Sequence, residues 1–326
     1  MSAGASGGSL FDRIRRSAAA VTRRARQVRI DDAALAGLAR SLAERATPDE
    51  DLDPMHGAAG DPERLLAFTI ALDAINFGSG WFPVLKKRGR LSGYRSIATA
   101  CRESLEAGDP WSGAWLRAAT PASMATLLGQ SGGGTEVAEL MGLYAKAWQE
   151  LGEWLAARHG DRFDRLVEAA GGSAERFVGS FAELPLYRDV ATYDDLEVPF
   201  YKRAQITAAD LARVFQGEGW GRFDGLDRLT LFADNLVPHV LRCHGVLVLA
   251  PELAARIDRE ELLVWGSHAE VEIRAVAVEA VERLVARMAA LGRPTTAQAL
   301  DARLWNAGQD PEIKARPRHR TRCTYY

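Results

Sequence analysis

Apolar residues recur at helical spacing along most of this chain. Ala34, Leu35, Leu38 and Leu42 predict a first core helix over residues 31–46, with Asp31 or Asp32 able to cap its start. Asp61-Pro62 opens a strongly apolar helix through Ile75, which stops at Asn76-Phe77-Gly78-Ser79-Gly80. Tyr94, Ile97, Ala98 and Leu105 give the apolar face of a helix over 93–107, and another is expected over 121–128. Val137, Leu140, Leu143, Tyr144, Leu151 and Leu155 trace a long amphipathic helix over 136–158, ended by His159-Gly160. Shorter helices follow over 163–170 and 174–181. The periodicity then lapses, and Thr192 to Pro199, with Asp194-Asp195 between extended-looking residues, reads as a small hairpin and the one sheet expected. Helices resume from about Thr207 and over His239 to Leu249. Ser267-His268-Ala269-Glu270 has the form of a capping box ahead of the stripe Val271, Ala275, Val278, Val281 and Val285. A last helix from Thr296 carries Asp301, Leu304, Trp305 and Asn306, on roughly neighbouring faces for Asp301 and Asn306. The class is mainly α, with at most a small β hairpin.

Composition adds bounds to this picture. With 326 residues and 47% hydrophobic content the chain can bury a large core. Its 41 basic and 43 acidic residues nearly cancel, so nothing in the overall charge suggests a coat for nucleic acid or membrane, and any polyanion contact must be local. Cys101, Cys243 and Cys323 lie far apart without metal-ligand spacing, which argues for a reduced protein with neither a disulfide framework nor a zinc site. No apolar run approaches a bilayer span and no secretory core opens the chain, so a soluble, cytoplasmic protein is expected. Residues 1–30, Arg-rich among Ala and Ser, read as a mobile basic extension, with an organellar transit peptide as the other reading. Residues 31–326 are expected to form the folded domain.

The most informative stretch is Thr230-Leu231-Phe232-Ala233-Asp234-Asn235-Leu236-Val237-Pro238, a lone carboxylate among apolar residues with an aromatic two positions earlier. Asp234 either caps a helix or stabilises positive charge developing on a sugar whose base lies against Phe232. Phe200-Tyr201-Lys202-Arg203-Ala204-Gln205, ahead of a helix, places two cations where a phosphate could sit, although a solvated basic turn explains them too. His56, on a polar link, is a ligand contact or a surface residue. The glycines of Gln130 to Thr135 lack the Gly-Lys-Ser/Thr ending of a phosphate loop, and no Gly-x-Ser-x-Gly elbow is present. Glu270, Glu272 and Arg274 are read as local ion pairs at a helix start. The final Tyr325-Tyr326 suggests a tail tucked against the body.

Leu231-Phe232-Ala233-Asp234 with Pro238, Pro199 to Ile206, Glu270-Val271-Glu272-Ile273-Arg274 and Arg320-Thr321-Arg322-Cys323-Thr324-Tyr325-Tyr326, taken in order, resemble the queuosine salvage family over about Asp31 to Tyr326. The family's members are queuosine 5′-phosphate N-glycosylase/hydrolases, which release the deazaguanine base queuine from the mononucleotide on a helical fold similar to that of helix-hairpin-helix DNA glycosylases. The resemblance implies that Asp234 is the catalytic carboxylate, that Phe232 lies against the base, and that His56, Asn76, Phe77 and Asp301 contact substrate; the chemistry of the substrate adds Asn306 with Asp301 at polar base edges and Lys202 at the 5′-phosphate as expectations. Where the family shows Tyr after the helix acid and Asp after Trp, this chain has Ala302 and Asn306. The expected partner is the small-molecule substrate queuosine 5′-monophosphate rather than intact nucleic acid or a membrane, with no cofactor and no metal. The competing readings are a DNA or RNA N-glycosylase, which would need a cationic groove, and a non-catalytic helical interaction protein.

Overall fold

The helical periodicity carries through into a computed structural model that describes residues 8–44 and 61–326. Among the described residues the helices are α1 Leu10–Arg24, α2 Asp32–Glu44, α3 Pro62–Ala74, α4 Gly93–Glu106, α5 Gly113–Arg117, α6 Pro121–Leu127, α7 Thr135–His159, α8 Phe163–Ala169, α9 Ala174–Ser180, α10 Lys202–Val214, α11 Leu236–Cys243, α12 Pro251–Asp258, α13 His268–Ala290, α14 Ala297–Ala307 and α15 Pro311–Lys314. Several starts have the expected chemistry: Asp61 accepts from the Glu63 N–H ahead of Pro62, and the Ser267 hydroxyl from the Glu270 N–H. Gly160, in the left-handed conformation, ends α7 after His159.

The strands pair in three short ribbons. β2 (Val190–Tyr193) and β3 (Leu196–Pro199) form the expected antiparallel hairpin, turning at Asp194-Asp195. Two ribbons were not expected. β1 (Val28–Ile30) pairs antiparallel with β4 (Leu247–Leu249), and β5 (Leu262–Leu263) pairs parallel with β6 (Arg320–Thr321). The helix expected over His239 to Leu249 therefore stops at Cys243. A turn then brings Gly245 into the left-handed region, and the β-branched and aliphatic run beyond it is taken up by β1. Such long-range pairing leaves no local periodic signal.

Residues 10–24 overturn the expectation of a mobile basic extension. Phe11, Ile14, Ala18 and Val21 form one buried stripe of α1, packed on α13, while the arginines face outward. Arg13 pairs with Glu197 at 2.7 Å, Arg15 with Glu282 at 3.0 Å, and Arg24 with Asp195. The Arg-rich composition concealed an amphipathic helix whose partners lie far along the chain.

The helices gather into two groups. α13 is buried over most of its surface and is surrounded by α1, α2, α11 and α14 with β1. α3, α5, α6, α7, α8, α9 and α10 make up the second group, centred on α3 and α7. Trp111 and Trp148 sit in its core, with the Trp148 indole donating to the Ala71 carbonyl at 2.8 Å. The C-terminal tail crosses between the groups: the Tyr326 carbonyl accepts from the Gly78 N–H at 3.0 Å, and its hydroxyl donates to Glu270 at 2.9 Å. Gly80 is required there, because a Cβ would come within 2.5 Å of the Thr321 carbonyl oxygen.

Candidate active site

Four elements from the two groups bring ionisable side chains together: the end of α3, the start of α10, the start of α11 and the first half of α14. Lys202 is the first residue of α10, and the residue before it, Tyr201, is held in the left-handed region at φ 50°, a strain on the order of 1 kcal/mol. That turn folds Lys202 inward. Its ammonium donates to the Asn76 carbonyl at 3.1 Å and the Asn76 side-chain oxygen at 3.2 Å, leaving it 4% exposed.

A buried ion-pair frame holds this turn against the Asp234 segment. Asp189, just before β2, accepts two bonds from the Arg274 guanidinium, at 2.9 and 2.6 Å, and one from the Lys202 backbone N–H at 3.3 Å. Arg274 also donates to the Ala233 carbonyl at 2.9 Å, lies 3.5 Å from Glu270, and stacks over Phe200 at 3.9 Å. One guanidinium thus spans from Lys202's turn to the residue preceding Asp234. Gln205 makes a second tie, donating to the Phe200 carbonyl and accepting from the Thr230 N–H, both at 2.8 Å. Glu270, Glu272 and Arg274 are accordingly structural: Arg274 and Glu270 make the expected local pair four residues apart, and Arg274 and Glu272 reach distant partners as well. Glu272 accepts the backbone N–H groups of Arg26, Gln27 and Val28 and the Tyr193 hydroxyl.

Asp234 sits just before α11, and one of its carboxylate oxygens accepts the Leu236 and Val237 N–H groups at 2.7 and 3.2 Å. The capping role is therefore real. It engages one oxygen, and the side chain remains partly exposed. Asp301, on α14, is 7% exposed and accepts the Phe232 N–H at 3.1 Å, fixing the backbone that carries the 8%-exposed Phe232 ring. Burial, reinforced by the Asp234 carboxylate, pushes the Asp301 carboxyl well above its usual range. Burial lowers the Lys202 pKa, while Asp234, Asp73 and Asp301 act to keep its proton on. Arg318, in the tail after α15, is also held down by burial, with the Asp234 carboxylate acting in the opposite direction.

Lys202, Asn76, Phe232, Asp234 and Asp301 therefore come together. Phe77 does not join them: it is 1% exposed, edge-on to Tyr144 at 4.9 Å and under the Arg203 guanidinium at 4.9 Å, so it anchors the core behind Asn76. Asn306 is exposed near the end of α14, five residues and hence about 140° around the helix from Asp301. His56 lies outside the described residues. Arg203 is a buried packing residue, donating to the Ala74 and Leu186 carbonyls, and is not half of a phosphate-binding pair. Two residues escaped the sequence reading. Asp73 looked like one polar position in an apolar helix, although its spacing of three from Asn76 puts both at the same helix end. Arg318 was one of several arginines in a basic tail. Two surface clefts, of about 350 Å³ beside Asp32 and Arg283 and about 670 Å³ beside Arg188 and Tyr325, are lined by none of the site residues.

The fold is a mainly helical one that encloses a lysine and a carboxyl next to a partly exposed Asp and an aromatic ring. The chain belongs to the family described as queuosine salvage protein, whose sequence model matches residues 55–326. It is 37% identical over 312 residues to a queuosine 5′-phosphate N-glycosylase/hydrolase of Sphaerobacter thermophilus, covering 94% of this chain and 95% of that one. Proteins of the same name from Bos taurus and Mus musculus are each 30% identical, over 96% and 82% of this chain and 98% and 83% of theirs.

Proposed function

We propose that this protein hydrolyses the N-glycosidic bond of queuosine 5′-monophosphate, releasing queuine for salvage. The observation that carries this reading is the Asp234 carboxylate, aimed by its own helix start and by the Arg274 bond to Ala233, two residues from the Phe232 ring and within electrostatic reach of the buried Lys202 ammonium. A 7-deazapurine lacks the ring nitrogen whose protonation helps ordinary purines leave, so the barrier must fall mainly through stabilisation of the sugar. As the C1′–N bond breaks, its electron pair leaves with the base and positive charge grows on the ribose. A fixed anion beside C1′ stabilises that charge more in the transition state than in the ground state. Water then forms the C1′–O bond, and its proton passes through Asp234 to solvent or to the departing base.

The other side chains divide the recognition. Phe232 stacks on the base. Asp301, favoured in its neutral form by burial, accepts from Phe232 N–H through one oxygen and can donate a proton to a base acceptor. Lys202, two of whose three donors serve Asn76, offers the third to the 5′-phosphate. Asn306 takes no part. Kinship with helix-hairpin-helix DNA glycosylases is part of the proposal and rests on the mainly helical architecture; superposition on such an enzyme tests it. The functional test is incubation with queuosine 5′-monophosphate, following the liberated base by mass spectrometry. Release by the parent and not by Asp234→Asn supports the reading, and failure of the parent to release base rejects it.

A further inference from the structure

Tyr326, in the C-terminal tail, touches both of the structures that hold the charges of the site. Its main-chain oxygen accepts the Gly78 N–H at 3.0 Å. Gly78 follows Asn76 by two residues, and the two Asn76 oxygens hold the Lys202 ammonium. Only glycine suits that turn: Gly78 lies at φ 106°, and a Cβ there would come within 2.9 Å of Leu140 and 3.0 Å of the Tyr144 hydroxyl. The same hydroxyl donates to the Phe77 carbonyl at 2.8 Å, so the turn that presents Asn76 is held by Tyr144 and by Tyr326.

The Tyr326 side chain reaches the frame behind Asp234. Its hydroxyl donates to Glu270 at 2.9 Å, and the Arg274 guanidinium lies 4.6 Å from its ring and 3.9 Å from that of Phe200. Burial and the Glu270 carboxylate raise the phenol pKa, so the proton that makes this bond stays in place. Arg274 in turn donates to the carbonyl of Ala233, the residue before Asp234. An aliphatic side chain in place of Tyr326 would fill the space and supply neither the phenol donor nor the ring face.

We infer that Tyr326 is a positioning residue that fixes the spacing between Asp234 and Lys202, so that one nucleotide meets the anion at its sugar and the cation at its phosphate together. This rests on the roles proposed for those two side chains. Asp189 already ties the Lys202 backbone to Arg274. Tyr326 ties in the Asn76 turn, which sets where the ammonium at the far end of that side chain stands. A shift of one helical group against the other must stretch the Gly78 bond or the Glu270 bond.

The test compares base release from queuosine 5′-monophosphate and from unphosphorylated queuosine by Tyr326→Ala, Tyr326→Phe and, as a destabilised control outside the site, Phe11→Ala, each below its melting transition. A loosened spacing penalises the substrate that must meet both charges at once. Tyr326→Ala should therefore lower kcat/KM on the nucleotide by about 10²-fold and the preference for nucleotide over nucleoside by about tenfold. Tyr326→Phe, which keeps the ring and the Gly78 bond, should fall between it and the parent, and Phe11→Ala should keep the parent's preference. A parent-like preference in folded Tyr326→Ala overturns the inference, because the tail then contributes stability alone. If Tyr326→Ala does not fold, Tyr326→Phe decides by the same ratio, and a preference equal to the parent's overturns it. A parent that itself shows no preference for the nucleotide refutes the phosphate role of Lys202 and this inference with it, a result distinct from an unchanged ratio in the variants.

Discussion

Replacing Arg274 by Met tests the frame that aims Asp234. The guanidinium is fully buried and makes two bonds to Asp189, one to the Ala233 carbonyl, a 3.5 Å contact with Glu270, and stacks on Phe200 and Tyr326. Burial works against its charge, but Asp189 and Glu270 more than offset this and raise its pKa. Met fills much of the volume while leaving two enclosed carboxylates without a cation, a defect of about 3–5 kcal/mol. For 326 residues the unfolding entropy implies a fall in melting temperature of about 1.5 °C per kcal/mol, so about 4–7 °C in all. The freed Ala233 carbonyl lets Asp234 shift, and a displacement of roughly 1 Å at a reacting group can cost about 10²-fold in rate. Urea unfolding followed by circular dichroism gives the first quantity and base release the second. Removing the charges together, as Arg274→Met/Asp189→Leu/Glu270→Gln, should recover much of the stability and none of the activity. If Arg274→Met melts within about 1.5 °C of the parent and turns over normally, the reasoning about this frame is wrong.

Further expectations follow from single side chains. Asp234→Asn keeps an oxygen for the Leu236 and Val237 N–H groups but loses the charge, so base release should drop by about 10²–10³-fold with little change in melting; comparable turnover would leave Asp234 as a cap only. Lys202→Ala should impair the phosphorylated substrate selectively, and equal kcat/KM losses on nucleotide and nucleoside would argue against a phosphate contact. The raised folded-state pKa of Asp301 means its proton is bound more tightly in the folded protein, so the stability it lends is complete in acid and disappears as pH rises through that raised value. Asp301→Asn should therefore melt higher than the parent in alkaline buffer, with the advantage shrinking toward about pH 4; thermal melts across pH showing the opposite trend would refute it. Phe11→Ala should destabilise by about 3–5 kcal/mol if α1 is part of the core, whereas a change below about 1 kcal/mol in urea unfolding would restore the mobile-extension reading.

The helices were legible because their signals are local: an apolar stripe every three to four residues, Asp61-Pro62 and Ser267 at starts, Gly160 at an end. So was the suspicion attached to Asp234, since an acid amid apolar residues is costly wherever the chain puts it. Local pattern failed where the partner lies far away. α1 looked like a basic tail because its core face meets α13 some 250 residues on, and β4 looked helical because only β1 makes it a strand. Asp73 and Arg318 drew no notice, because what surrounds a charged side chain is set by parts of the chain far from it in sequence. The sequence by itself determined where helices form and which residue types are available for sugar and phosphate chemistry. Tertiary structure decided which of them meet: it turned Phe77 and Arg203 into the core, left Asn306 at the surface, and buried the Lys202 ammonium against the Asn76 oxygens. The reason is that charge interactions depend on distance and burial, and both are set by how the two helical groups pack.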